Sequence, residues 1–207
     1  MKDIIWPEYL YTFLKLIAPS PLEKKVLDCG AGGKCPPIAL FKQKGYQSFG
    51  IDLSKDSIDA ANAFAEQNHL ELNIQFGDMR KLPFEDEFFS FVYTQNSICH
   101  LSKADTRIAI DEIQRVLRRG GYCLVDFMSI DCSFCNVEEM GQLIGDFEYR
   151  TTNENEDFLH SFYRDSEPDD YFSNMTIIRV DKIIKEHRAI KNPFIDVRLY
   201  YYVQKPD

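Results

Sequence analysis

Long apolar runs are missing from this chain: no stretch approaches the roughly 18 apolar residues that a bilayer-spanning helix needs. The opening residues, Met1-Lys2-Asp3-Ile4-Ile5-Trp6-Pro7, also lack the extended apolar core of a secretory leader. These absences lead to the expectation of a soluble, cytoplasmic protein with no membrane partner. Positive charge is in deficit too, with 24 Lys and Arg against 33 Asp and Glu and a net charge of −9. A broad nucleic-acid surface relies on Lys and Arg to neutralise phosphates, so no nucleic-acid partner is expected. Internal repeats and low-complexity linkers are absent, which leaves residues 1–207 as one domain.

The six cysteines are not spaced as a disulfide framework. Cys29, Cys99 and Cys123 fall in or at the ends of expected strands, where a reduced thiol acts as a small apolar residue. Cys132-Ser133-Phe134-Cys135 has the spacing of a metal-ligand or redox pair. No second Cys or His pair stands nearby to complete a zinc site, so no metal centre is expected.

What is present is an ordinary globular balance, 44% apolar and 28% charged, over a length that supports one sizeable core. Trp6, Leu10, Phe13, Leu14 and Ile17 recur at helical spacing, and Pro19-Ser20-Pro21 ends that helix. Alternating strand and helix patterns follow: strand Lys25–Asp28, helix Pro36–Lys44, strand Gln47–Asp52 and a helix from Lys55 to Asn68 capped by Ser54. A third strand spans Leu72–Phe76 and a fourth Phe89–Tyr93. A helix then runs to Arg118, with Ser102 to Asp105 as its capping box, before strand Tyr122–Phe127.

The later part reads differently. Gly145–Thr151 and Asp157–Tyr163 alternate around the polar turn Thr152 to Glu156, the pattern of a hairpin. Glu167–Phe172 reads as a short helix. Met175–His187 and Phe194–Gln204, separated by Lys191-Asn192-Pro193, would supply antiparallel sixth and seventh strands. The fold expected is α/β: a Rossmann-like doubly wound sheet of seven strands, mostly parallel with an antiparallel last strand, carrying a small cap after strand five at about residues 130–172.

Val26 to Asp52 organises the rest. An apolar strand ends in Asp28-Cys29-Gly30-Ala31-Gly32-Gly33, a helix follows, and the next strand ends in Asp52. Strand, glycine turn, helix and a strand with a terminal acid is the layout of a nucleotide-binding half. Glycine lets the backbone approach a ligand closely and take positive φ, and the second acid can accept both hydroxyls of a ribose. A pyrophosphate at the helix N-terminus would be repelled by Asp28. The same acid suits a ligand with a cationic amino-acid end. At the third strand, Gly77-Asp78-Met79 offers a carboxylate for an exocyclic amine and an apolar side chain for a purine ring.

Asp28-x-Gly30-x-Gly32 resembles the first motif of the class I S-adenosylmethionine-dependent methyltransferases, acid-x-Gly-x-Gly-x-Gly, with Lys34 at the third glycine position and Gly33 displaced by one. Gly77-Asp78-Met79-Arg80-Lys81-Leu82-Pro83-Phe84 and the following Glu85 to Val92 resemble the family's G-D-a-x-x-L-P-F-x-D-x-x-F-D segment, with Ser90 in place of its last Asp. Arg115-Val116-Leu117-Arg118-Arg119-Gly120-Gly121 is similar to its r-V-L-k-P-G-G turn. The resemblance covers about Lys25 to Ser129.

It implies S-adenosylmethionine as cofactor and S-adenosylhomocysteine as product. Gly30, Ala31 and Gly32 would form the loop, Asp28 would face the methionine ammonium and Asp52 with Leu53 the ribose. Asp78 and Met79 would hold the adenine, Gln95 the loop after the fourth strand, and Tyr9 the cover from an N-terminal helix over residues 1–20. The loop Thr94 to Leu101 faces the expected methyl, and His100, carrying the side chain most often used for proton transfer, is the candidate catalytic base. Asn96-Ser97-Ile98-Cys99 lacks the Asn-Pro-Pro-Tyr motif used on amide and adenine nitrogens, and a small-molecule acceptor is the leading expectation. Two other readings stand beside it: a non-catalytic cofactor-binding protein of the same fold, and an NAD-dependent oxidoreductase, which Asp28 and the missing G-x-G-x-x-G spacing oppose.

Overall fold

The computed structural model describes residues 4–135, 140–152, 157–188 and 193–207. Helix α1 (Glu8–Ile17) opens the chain and buries Tyr9, Leu10, Phe13 and Ile17 along one face, as its spacing predicts. It is followed by β1 (Lys25–Cys29), α2 (Ile38–Gln43), β2 (Gln47–Asp52), α3 (Lys55–Gln67), β3 (Ile74–Phe76) and β4 (Phe89–Thr94). Ser54 and Ser102 each cap a helix, accepting from the N–H three residues on, Ser57 at 3.2 Å and Asp105 at 2.9 Å. Each bond satisfies an N–H that the first helical turn leaves without an internal partner.

Helix α4 (Lys103–Val116) leads into β5 (Leu117–Ser129). A cap of three strands follows: β6 (Gln142–Gly145), β7 (Glu148–Thr152) and β8 (Asp157–Tyr163). A 3-10 helix at Glu167–Phe172 precedes β9 (Thr176–His187) and β10 (Phe194–Gln204). The expected turn residues 153–156 and 191–192 lie outside the described residues.

Among the described residues the main sheet runs β3-β2-β1-β4-β5-β10-β9. Strands β1 to β5 are parallel, and β10 is antiparallel to both β5 and β9. That makes one correction to the sequence reading. The sixth strand, β9, is antiparallel only to its neighbour and points the same way as β1 to β5, so β10 alone reverses.

Parallel strands covered on both faces read as near-continuous apolar runs, and β4 is buried at all six positions. Val26, Phe91, Tyr93, Tyr200 and Tyr202 pack toward α1, α2 and α3, while Leu27, Val92, Val125 and Phe127 pack toward α4. The order of the strands turns back between β1 and β4, and ligands of open α/β sheets bind outside the carboxyl ends at that point.

The cap is tied to the sheet at the far end of β5. Met128 pairs with Phe162 and Ser129 with Tyr163 in β8, while Met128 also pairs with Arg198 of β10. A strand has two edges, so β8 takes the edge of β5 that β4 vacates after Thr94. A third cluster, including Cys99, Met128, Cys132, Cys135, Tyr149 and Phe162, fills the junction. The six cysteines are free thiols. Burial pushes the Cys132 thiol up to about 11, and its sulfur accepts the Val197 N–H at 3.2 Å, a packing role rather than a reactive one.

Candidate cofactor and acceptor site

The glycine turn after β1 is shaped by what touches it. Gly30 sits at φ +113°, and a Cβ there would lie 1.8 Å from Ser97 Oγ. A Cβ on Gly32 would lie 2.5 Å from Asp52 Oδ2. The N–H groups of Gly30 and Ala31 both donate to the Ile51 carbonyl at 2.9 Å, which locks the turn to the end of β2. Asp52 is held in turn: Gly32 N–H donates to Oδ2 at 2.9 Å and Ser54 N–H to Oδ1 at 2.8 Å.

A cavity of about 430 Å³ opens beside this turn. Gly30, Asp52, Leu53, Asp78, Met79 and His100 line it, together with Ser57, Asn96, Ser97 and Phe158. Six of the residues expected from sequence therefore meet on one surface. Asp78 arrives with a partner that sequence did not assign: both its oxygens accept from Arg80 Nε at 3.0 Å, and Arg80 also reaches Asp105 at 3.1 Å. The Arg80 guanidinium holds the Asp78 carboxyl below the usual carboxylate range. Its lone pairs, expected to be free for an exocyclic amine, are shared with Arg80.

Asp28, Ala31, Gly32, Gln95 and Tyr9 do not line this cavity. Asp28 is 1% exposed; the Tyr93 hydroxyl donates to its Oδ2 at 2.6 Å, and Oδ1 has no partner among the described residues. Burial, helped by the charges of Asp52 and Asp126, pushes this carboxyl up to about 7. Gln95 Oε1 and Thr94 Oγ1 are likewise buried without a partner. Tyr9 is buried and stacks on Tyr200 at 4.3 Å between centroids, so it is a packed ring rather than a surface lid.

A second cavity, about 910 Å³, lies toward the cap and shares Asn96 and His100 with the first. Phe134, Phe194, Met128 and Met140 give it apolar walls, and His160, His187, Asp196 and Arg198 give it polar ones. His100 is exposed, and its Nδ1 lies 3.2 Å from the Leu159 carbonyl. Only a protonated Nδ1 can bond there, which leaves the lone pair on Nε2. Asn96, at φ +51°, donates its N–H to both oxygens of Asp126 at 3.0 and 3.2 Å. Burial raises Asp126 to about 6, and Arg198 opposes that rise.

Sequence reasoning missed Asn96, Asp126, Arg198, Phe134 and Phe194. Arg198 and Asp126 are 72 residues apart in the chain, and each sits in a strand whose pattern reads as packing. Among the described residues no group of three or more His, Cys, Asp or Glu could hold a metal ion. No helix among them is long and apolar enough to cross a membrane.

Residues 27–125, the segment carrying the glycine turn and both acids, match the methyltransferase domain family. This segment, just under half of the chain, carries the methyltransferase domain. The chain is 38% identical to norajmaline N-methyltransferase of Rauvolfia serpentina over 106 residues, 49% of this chain and 35% of that protein. It is 29% identical to an O-methyltransferase of Aspergillus sclerotiorum over 119 residues, 56% of this chain and 44% of that protein. These matched segments span less than half of either relative. A solved SAM-dependent methyltransferase from Methanosarcina mazei superposes with a TM-score of 0.77 at 16% identity, covering 98% of this chain and 99% of that one. At that identity the likeness establishes the fold alone.

Proposed function

We propose that this chain is an S-adenosylmethionine-dependent methyltransferase acting on a small-molecule acceptor. The observation that carries the reading is the meeting of two cavities at Asn96 and His100, the smaller beside the glycine turn and the larger beneath the cap. Transfer requires donor and acceptor to share one boundary from which water is kept out, since holding the reacting atoms in line supplies much of the rate.

The residues fit the cofactor. Asp28 Oδ1 is a buried carboxylate oxygen without a partner among the described residues, and an ammonium group is the ligand chemistry that would satisfy it. A Cβ at Gly30 or Gly32 would fill the space against Ser97 and Asp52, as expected of a backbone that a ligand must approach. In this assignment Asp52 and Leu53 hold the ribose, Asp78 and Met79 the adenine, and Gly30, Ala31 and Gly32 the loop. Asp28 and Gln95 serve the methionine end, with Tyr9 packed behind it. Bound there, the sulfonium supplies an electrophilic methyl. His100, at the boundary, is the candidate catalytic side chain.

The acidic net charge supports a small acceptor over a nucleic acid, and the N- and O-methyltransferase relatives point the same way. Titration calorimetry with S-adenosylmethionine, S-adenosylhomocysteine and NAD tests the reading. Micromolar binding of the first two and none of NAD is expected. Silence from the first two would overturn it.

A further inference from the structure

The larger cavity has a guanidinium in its wall with donors to spare. Arg198 of β10 has a side chain only 13% exposed. Its Nε donates to Asp196 Oδ1 at 3.0 Å, and its Nη1 reaches Asp126 Oδ2 at 3.4 Å. Its Nη2 has no hydrogen-bond partner among the described residues, and the residue lines the cavity. A guanidinium nitrogen facing a cavity without an acceptor is a ready donor, and an oxygen carrying negative charge is what satisfies it.

His160 of β8 lines the same cavity and is half-buried. Its ring stands 5.2 Å from that of His100, centroid to centroid, and its nitrogens carry no hydrogen bond among the described residues. Burial lowers its pKa below the ordinary histidine value, with the charges of His100 and Arg198 acting in the same direction. Tyr149 faces it across the β7–β8 ladder. Asp196 of β10 and His187 of β9 complete the titratable lining, and Cys99, its thiol pushed up to about 12 by burial, stays protonated. A neutral imidazole with a free lone pair can take a proton. The remaining walls are flat: Phe134 and Phe194 meet edge to face at 5.8 Å, and His187 stacks on Phe194 at 4.3 Å.

We propose that the acceptor is an aromatic ring bearing a weakly acidic hydroxyl, with Arg198 holding its oxygen and His160 taking its proton. This rests on the methyltransferase reading above and narrows its acceptor. The acceptor O–H bond breaks and its proton passes to the imidazole nitrogen of His160. The oxygen lone pair forms the new O–C bond, and the electrons of the breaking S–C bond stay on sulfur as the neutral thioether. His160 then passes the proton to Nε2 of the adjacent, exposed His100, which releases it to water and so restores both neutral imidazoles. A protonated amine would set a second cation against Arg198, which the arrangement disfavours.

The test uses the full chain with S-adenosylhomocysteine, whose binding is first measured by calorimetry. No binding at that stage overturns the methyltransferase reading itself, and the acceptor proposal with it. With the thioether bound, 4-nitrophenol is titrated in and its phenolate absorbance followed against pH. The expected result is saturable binding, with the apparent pKa of the bound probe lowered by about one unit by the adjacent positive charge. The His160 signal in histidine-labelled NMR spectra should move to the imidazolium position as the probe binds. His160→Gln should lose most of the shift, and Arg198→Lys, which keeps the charge but loses the fork, should lose part of it. Product binding without probe binding, probe bound with no shift, or an unchanged shift in His160→Gln would overturn the proposal and leave the methyltransferase reading intact.

Discussion

The Tyr93 hydroxyl donates to Asp28 Oδ2 at 2.6 Å, while Asp28 Oδ1, also buried, has no partner among the described residues. One hydrogen bond from a neutral donor does not offset the removal of a carboxylate from water. The folded protein therefore prefers this acid protonated, and a cationic ligand reverses that preference.

A pH dependence of stability follows. Asp28 is pushed up to about 7 and Asp126 to about 6, both by burial, against an unfolded carboxylate near 3.9. A raised folded pKa means that the folded state binds protons more tightly than the unfolded one. The stabilisation is complete below about pH 4 and is lost as pH climbs through 6 and 7. The Tm of the ligand-free protein is expected to fall between about pH 5 and 8, and to fall less in Asp28→Asn. A flat profile, or a variant with the same slope, would show that Asp28 is solvated.

Cofactor affinity should depend on both acids. Asp28→Ala and Asp52→Ala are each expected to weaken S-adenosylmethionine binding at least tenfold, about 1.4 kcal/mol. Asp52→Ala also removes the acceptor from the N–H groups of Gly32 and Ser54, so its Tm should fall as well, by the equivalent of about 1–3 kcal/mol. Calorimetry and thermal melts separate the two effects. Unchanged affinity in both variants would sink the site assignment.

Gly30 offers a steric test. Its φ of +113° is strained for any side chain, and its Cβ would overlap Ser97 Oγ. Gly30→Ala should destabilise the protein by about 1–3 kcal/mol and block the cavity mouth. Removing the hydroxymethyl group in Gly30→Ala with Ser97→Gly should restore part of the stability, because overlap is relieved and backbone strain is not. Urea denaturation gives the comparison; a single variant as stable as the parent would mean that the turn relaxes.

His100 sits where the two cavities meet rather than deep in either. His100→Ala is therefore expected to slow turnover more than it weakens cofactor binding, read as kcat against the calorimetric Kd. Equal and small effects on both would remove it from the catalytic residues.

The parallel half of the sheet was legible because its punctuation is local. Glycines, prolines, serine caps and strand-terminal acids set β1 to β4 and their helices to within a few residues. The start of β5 was not: Gly120-Gly121 reads as a stop, yet Gly120 at φ +70° forms an irregularity inside a strand that already begins at Leu117. Strand β6, four largely exposed residues, carries no alternation to find. Asp28 was identified as a site acid, but its burial beneath Tyr93 depends on a residue 65 positions away. Arg80 was in plain view two residues from Asp78, but the pairing depends on how the turn folds back. Local chemistry can be read from spacing, whereas partners brought together across the sheet cannot.

The ladder joining β8 to β5 consists of Met128 with Phe162 and Ser129 with Tyr163. The strand pairing there is only two residues long, and the rest of the join is side-chain packing around Phe162 and Tyr163, so the cap is held by contacts that a different set of strands could also make. Replacement of the cap, strand for strand, would leave the glycine turn and its acids where they are. A lineage could thus diversify its chemistry by exchanging one appendage, without rebuilding the engine beneath it.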